Sequence, residues 1–138
     1  MRTVLAWALA ASTMILGACR VHHGPRWEQI PVATTAAGAT LELRATERGG
    51  AEEAELIAVQ DSGLVVASSG RLVFAPYASL RTITVKGLGW RYEGPAGASN
   101  ADVRRQLRPL SRFPQGMSPD VVSRLLEAYG QTSIEAFR

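Results

Sequence analysis

The sequence predicts a mainly β domain closed by a helical C-terminal segment (α+β), its five short antiparallel strands forming a small barrel with one or two helices packed on it. Three observations carry this. Between Thr40 and Lys86, short apolar or alternating segments are separated by Gly, Asp and Ser turns, the signature of consecutive hairpins. The connections are too short for the crossovers that parallel strands require. From Ser118 onward the apolar period changes from two to that of a helix.

Thr40 to Thr46 alternates, with Leu41, Leu43 and Ala45 on one face and Glu42 and Arg44 on the other. A charged, glycine-rich turn, Glu47 to Glu52, leads to an apolar stretch from Glu53 to Gln60, ended by Asp61-Ser62-Gly63. Leu64 to Ala67 is continuously apolar and stops at Ser68-Ser69-Gly70; Arg71 to Ala75 stops at Pro76; Leu80 to Lys86 is rich in β-branched residues. Gly87 to Ala98 reads as a glycine-rich loop carrying Trp90 and Tyr92. Asn100 suits the cap of a short helix, Ala101 to Leu107, which Pro109 stops. The clearest helix is the last. Ser118 is its N-cap, Pro119 its first residue and Asp120 a match for the helix dipole, with Gly130 as terminator. Val121, Val122, Leu125, Leu126 and Tyr129 form its apolar stripe, and a helix so short needs a surface to lie on.

The order Glu55-Leu56-Ile57-Ala58-Val59-Gln60-Asp61, Leu64-Val65-Val66, Phe74-Ala75-Pro76-Tyr77 and Leu80-Arg81-Thr82-Ile83 resembles SH3-like and Sm-like small barrels. There too a strand, an Asp-containing turn and a second strand lead to a Pro-ended strand and a short turn into the last one. The chain departs from Sm-like proteins in lacking a helix before the first strand, so RNA binding and ring assembly are not carried over.

The N-terminus has a different logic. Arg2 is followed by a charge-free run from Val4 to Leu16, then Gly17, Ala18 and Cys19. As a helix this run spans roughly 20 Å, short of the ~30 Å hydrocarbon core and apt for the apolar part of an export signal. Leu16-Gly17-Ala18-Cys19, so placed, resembles the lipobox of bacterial lipoproteins. The resemblance implies that residues 1–18 are a cleaved signal peptide. Cys19 would then receive a diacylglyceryl group on its thiol and an acyl group, such as palmitate, on its new amino group. One acyl chain holds a protein only marginally at a membrane and two or more hold it stably. The implied address is the cell envelope, with Arg20 rather than Asp after the cysteine leaning towards the periplasmic face of an outer membrane in a Gram-negative host. Residues 19–39 then read as lipidated cysteine and flexible tether, 40–98 as the barrel with its aromatic loop, and 99–138 as the helical segment packed on it.

Charge and residue types narrow the function. Fifteen Lys and Arg face twelve Asp and Glu; without Arg2 the balance is fourteen to twelve, which offers no strong pull on nucleic acid. A single cysteine excludes an internal disulfide. Both histidines, His22 and His23, fall in the tether, and the sequence holds no nucleophile-elbow, phosphate-loop, HExxH or paired-cysteine zinc pattern. No catalytic residue, metal ligand or cofactor is expected beyond the lipid on Cys19. Two surfaces remain. Arg104, Arg105, Arg108 and Arg112 cluster in sequence and suit phosphate-bearing headgroups or an anionic polymer, or else pair with the acidic turn from Glu47 to Glu55. Trp90-Arg91-Tyr92 suits protein recognition, or plugs the barrel end. The leading expectation is a lipid-anchored, non-enzymatic binding or structural module with an envelope protein partner. An accessory using the arginine cluster is second, and a hydrolase with an unrecognised site a distant third.

Overall fold

Where apolar residues alternate, the chain is extended and feeds one face of a sheet. The computed structural model describes residues 37–47, 49–93 and 101–137. The signal peptide, Cys19, the tether up to residue 36, the loop after Glu93 and the Asn100 cap lie outside the described residues. The five expected strands are present as β1 (Thr40–Ala45), β2 (Ala51–Val59), β3 (Gly63–Ser68), β4 (Arg71–Pro76) and β5 (Leu80–Val85). Two further strands, β6 (Trp90–Glu93) and β7 (Glu135–Ala136), raise the number to seven in one sheet, ordered β6-β5-β1-β2-β3-β4-β7. All neighbours are antiparallel except β4 and β7. The helices are α1 (Ala101–Leu107) and α2 (Pro119–Ala128), with 3-10 turns at Tyr77–Ser79 and Arg108–Leu110.

The glycine-rich loop is therefore corrected in part: Trp90 to Glu93 is a strand paired to β5 from Val85↔Trp90 to Thr82↔Glu93. Gly87 and Gly89 adopt positive φ, 81° and 63°, which lets four residues reverse the chain tightly and bring Trp90 back onto the sheet. β7 is two residues long, too short for any period to announce it.

The sheet buries both faces, but unequally. Leu41 and Leu43 of β1, Ala54 and Leu56 of β2, Leu64 and Val66 of β3, Ala75 of β4 and Ile83 and Val85 of β5 share the larger, inner core. Val103 and Leu107 of α1 are buried in it as well. The outer face carries a smaller cluster, Ile57, Ala58, Val65 and Leu72, against which Phe113, Met117, Leu125, Leu126, Tyr129 and Ile134 pack. This explains the two burial rhythms. β1, with one covered face, alternates, whereas β3 is covered on both faces from Gly63 to Val66 and reads as a continuous apolar run. β2 changes from one rhythm to the other at a bulge between Leu56 and Ala58, where Ile57 and Ala58 both join the outer cluster.

α2 begins and ends where its residues dictate. The Ser118 hydroxyl accepts from the Val121 amide, Pro119 occupies the first turn, and Gly130 (φ 64°) ends the helix. Its stripe meets the outer cluster through Leu125, Leu126 and Tyr129, while every residue of α2 keeps some exposure. The helix thus lies on the sheet as an outer layer. It is α1 that enters the main core.

Candidate functional site

The chain enters the described domain through Gly38 and Ala39, and this junction is built from three segments, 38–39, 55–57 and 110–113. The Gly38 amide donates to Glu55 Oε1 (2.8 Å), the Ala39 amide to the Leu110 carbonyl (2.8 Å), and the Leu56 amide to the Ala39 carbonyl (2.9 Å). The Arg112 and Phe113 amides donate to the carbonyls of Leu56 and Ile57, each at 2.9 Å. The segment after α1 thus continues the hydrogen bonding of β2 beyond the start of β1. Arg112 closes the junction with a fork onto Glu55, Nε to Oε1 at 2.9 Å and Nη2 to Oε2 at 3.1 Å. The two side chains are only 29% and 24% exposed, and paired donors of this geometry fix orientation as well as charge. Gly38 and Ala39, the last residues of the stretch read as a tether, are bonded into the sheet.

The four arginines have different partners. Arg112 is tied to Glu55, and Arg105 pairs with Asp102 on the exposed side of α1. Arg104 reaches the Asp61 carbonyl (3.5 Å) in the turn between β2 and β3. Arg104 and Arg108 also act electrostatically on Tyr77. Of the acidic turn from Glu47 to Glu55, Glu55 alone takes a partner from these arginines among the described residues. Three residues between Arg105 and Arg112 fall in a 3-10 turn, Arg108–Leu110, which breaks the helical face that would have aligned the charges.

Tyr77 is a site that the sequence reading passed over. Its ring is buried in the inner core and its hydroxyl donates to the Gln60 carbonyl (3.0 Å). Burial pushes its phenol up to about 12; Arg104 and Arg108 oppose the shift and Asp61 adds to it. The signal was the Pro-Tyr junction after β4, where proline ends the strand and the next aromatic turns inward.

Trp90 and Tyr92, two apart on β6, share a face and stack with ring centroids 6.3 Å apart and planes at 24°. Both pack partly on the inner core, while Arg91 and Glu93 point outward and pair at 3.0 Å. The Tyr92 hydroxyl is buried with no hydrogen-bond partner among the described residues, and burial raises its pKa. The aromatic pair therefore covers one end of the core and lies on an outermost strand of the sheet.

At the opposite end of the sheet, Glu52, Ser68, Ser69, Arg71, Val73 and Glu135 line an open groove. Glu52 accepts from the Ser68 hydroxyl and Arg71 pairs with Glu135, so its charged groups are satisfied internally. Among the described residues no group of three or more His, Cys, Asp or Glu is placed to hold a metal ion, and no helix is long and apolar enough to cross a membrane. Comparison with protein-family models, with curated proteins and with solved structures finds no match to this chain.

Proposed function

We propose that this chain is a bacterial lipoprotein, anchored in the cell envelope through lipid on Cys19, whose folded domain is a non-enzymatic module that binds a protein partner or stabilises an assembly. The observation that carries the reading is Leu16-Gly17-Ala18-Cys19, directly after a charge-free run and a basic start. In a Gram-negative host the proposed site is the periplasmic face of the outer membrane. Anchoring leaves the domain near a surface, where a modest interface is strengthened by confinement.

Two observations favour a protein partner over headgroups or polymer. Arg105 and Arg112 are engaged by Asp102 and Glu55, which divides the charge that a polyanion would need. The stacked Trp90 and Tyr92 sit on β6, an outermost strand, and large rigid aromatics are the residues most often found at the centre of interfaces. The domain itself we read as an SH3-like barrel. The consecutive order β5-β1-β2-β3-β4, the 3-10 turn between β4 and β5, and one inner core fed by all five strands support that reading.

Intact mass of the membrane form tests the anchor. The expected result is an N-terminus at Cys19 carrying diacylglyceryl and acyl groups, with Cys19→Ser accumulating unprocessed. A mature N-terminus elsewhere, or an unmodified thiol, overturns it. A photo-crosslinker at Arg91 then tests the module: a discrete envelope protein adduct is expected, and adducts to lipid or polymer alone would favour the arginine reading.

A further inference from the structure

The outermost strand β7 and the side chain before it treat the edge of β4 with unusual thoroughness. In an antiparallel ladder alternate residues turn both backbone groups towards one neighbour, and those of β4 that turn away from β3 are Leu72, Phe74 and Pro76. Each is dealt with separately. The side-chain amide of Gln131 accepts from the Leu72 amide (2.6 Å) and donates to the Leu72 carbonyl (3.1 Å), the two bonds that a neighbouring strand would make. The Phe137 amide donates to the Phe74 carbonyl (2.9 Å), within the parallel pairing Val73↔Glu135 and Phe74↔Ala136. Pro76 has no amide hydrogen to offer.

The guard is positioned by the end of α2, where the Gln131 amide donates to the Leu126 carbonyl (2.8 Å). Beyond it, Ile134 packs on the outer cluster and Phe137 on the inner core, one to each side of the sheet. Between these two anchors the strand itself is slight. β7 has two residues, both exposed, and its ion pair Arg71–Glu135 lies at the surface.

We propose that the segment from Gln131 to Phe137 is a removable guard, and that the β4 edge beneath it is a pairing surface for the same edge of a second copy of this chain. The edge is self-complementary. If Val73 faces its counterpart across a twofold axis, each Leu72 faces the other copy's Phe74, and the pair exchanges four backbone hydrogen bonds. Pro76 then falls opposite the turn at Gly70, where no bond is needed. An edge with this capacity is a liability that sheet proteins cover, and here the cover is one side chain and the backbone of residues 135–137. This inference is independent of the lipid anchor.

The test compares three forms of the protein purified in detergent: the natural chain, a form shortened to end at Gly130, and the full chain with Gln131→Ala. Each is made with and without Val73→Cys, and mass is measured by light scattering. The expected result is that the shortened chain keeps its circular dichroism and dimerises, with a dimer fraction about tenfold or more above that of the natural chain at equal concentration. Val73→Cys should then give disulfide-linked dimers in the shortened chain and not in the complete one. A folded shortened chain that stays monomeric overturns the proposal. If that form does not fold, Gln131→Ala decides: faster hydrogen exchange at Leu72 with rising dimer supports the guard, and a monomer with exposed Leu72 refutes it. Loss of folding in both forms would show the segment to be an integral strand, which also refutes it.

Discussion

Gly38→Ala isolates the junction where the chain joins the sheet. A Cβ at Gly38 would lie 1.8 Å from the Leu56 carbonyl oxygen and 2.9 Å from the Arg112 nitrogen. Both are backbone atoms and neither can swing aside. Relief requires residue 38 to withdraw, which breaks the bond from its amide to Glu55 and strains those from Ala39 to Leu110 and from Leu56 to Ala39. Three such bonds at about 1 kcal/mol net each come to roughly 3 kcal/mol. In a domain of this size that lowers Tm by about 12 °C or more. Gly49→Ala is the control. Nothing lies within 4 Å of a Cβ there and its φ is ordinary, so the change should be neutral or stabilise by about 0.4–1 kcal/mol. Thermal melts of the two variants make the assay. Equal melting temperatures would falsify the claim that Gly38 belongs to the folded domain.

Glu55→Ala removes the acceptor of both the Gly38 amide and the Arg112 fork, and should cost about 1–3 kcal/mol in denaturant unfolding; a midpoint unchanged from the natural chain would show that the fork contributes nothing. Leu125→Ala should cost about 1–2 kcal/mol, less than the 2–5 of a fully buried leucine, because α2 lies on the outer face. Its melting temperature should be independent of protein concentration, and dependence on concentration would place the helix at an interface between copies. For Tyr77 the sign follows from linkage. The folded phenol titrates at about 12 and the unfolded one at 10.0, so the stabilisation is complete below pH 10 and is lost as pH rises from about 10 to 12. The unfolding free energy measured across that window should fall steeply for the natural chain and less steeply for Tyr77→Phe.

Much of the sheet was legible because the physical cause is local. Leu41 and Leu43 alternate with Glu42 and Arg44, Pro76 and the Asp61-Ser62-Gly63 turn break the chain, and Ser118, Pro119 and Gly130 delimit a helix without reference to anything distant. What the sequence hid is non-local. Glu55 looks like one of a group of solvated acids at a strand start, and only the return of the chain at Arg112 makes it a junction. β7 exists because β4 has an edge. Trp90 and Tyr92 read as loop residues since glycines surround them, although the two-residue spacing of the aromatics was itself a strand signal.

The arginines show how spacing along the chain differs from proximity in space. On an uninterrupted helix, positions 104, 105, 108 and 112 would lie on one side, since steps of three and four residues return to the same face. The argument fails at Pro109, which cannot donate in the turn that follows α1 and leaves Arg108–Leu110 as a 3-10 turn. Beyond it Ser111 is extended, and the chain runs beside β2, so the Arg112 amide meets the Leu56 carbonyl. The same redirection carries the Arg112 guanidinium to Glu55, while Arg104 stays with the β2–β3 turn. The residue that ends the helix therefore decides the chemistry. It sends Arg112 to a structural fastening on Glu55 where the chain enters the sheet, while Arg104 keeps only a surface contact at the Asp61 turn. The aromatic pair on β6 is then the better-founded place to look for a partner.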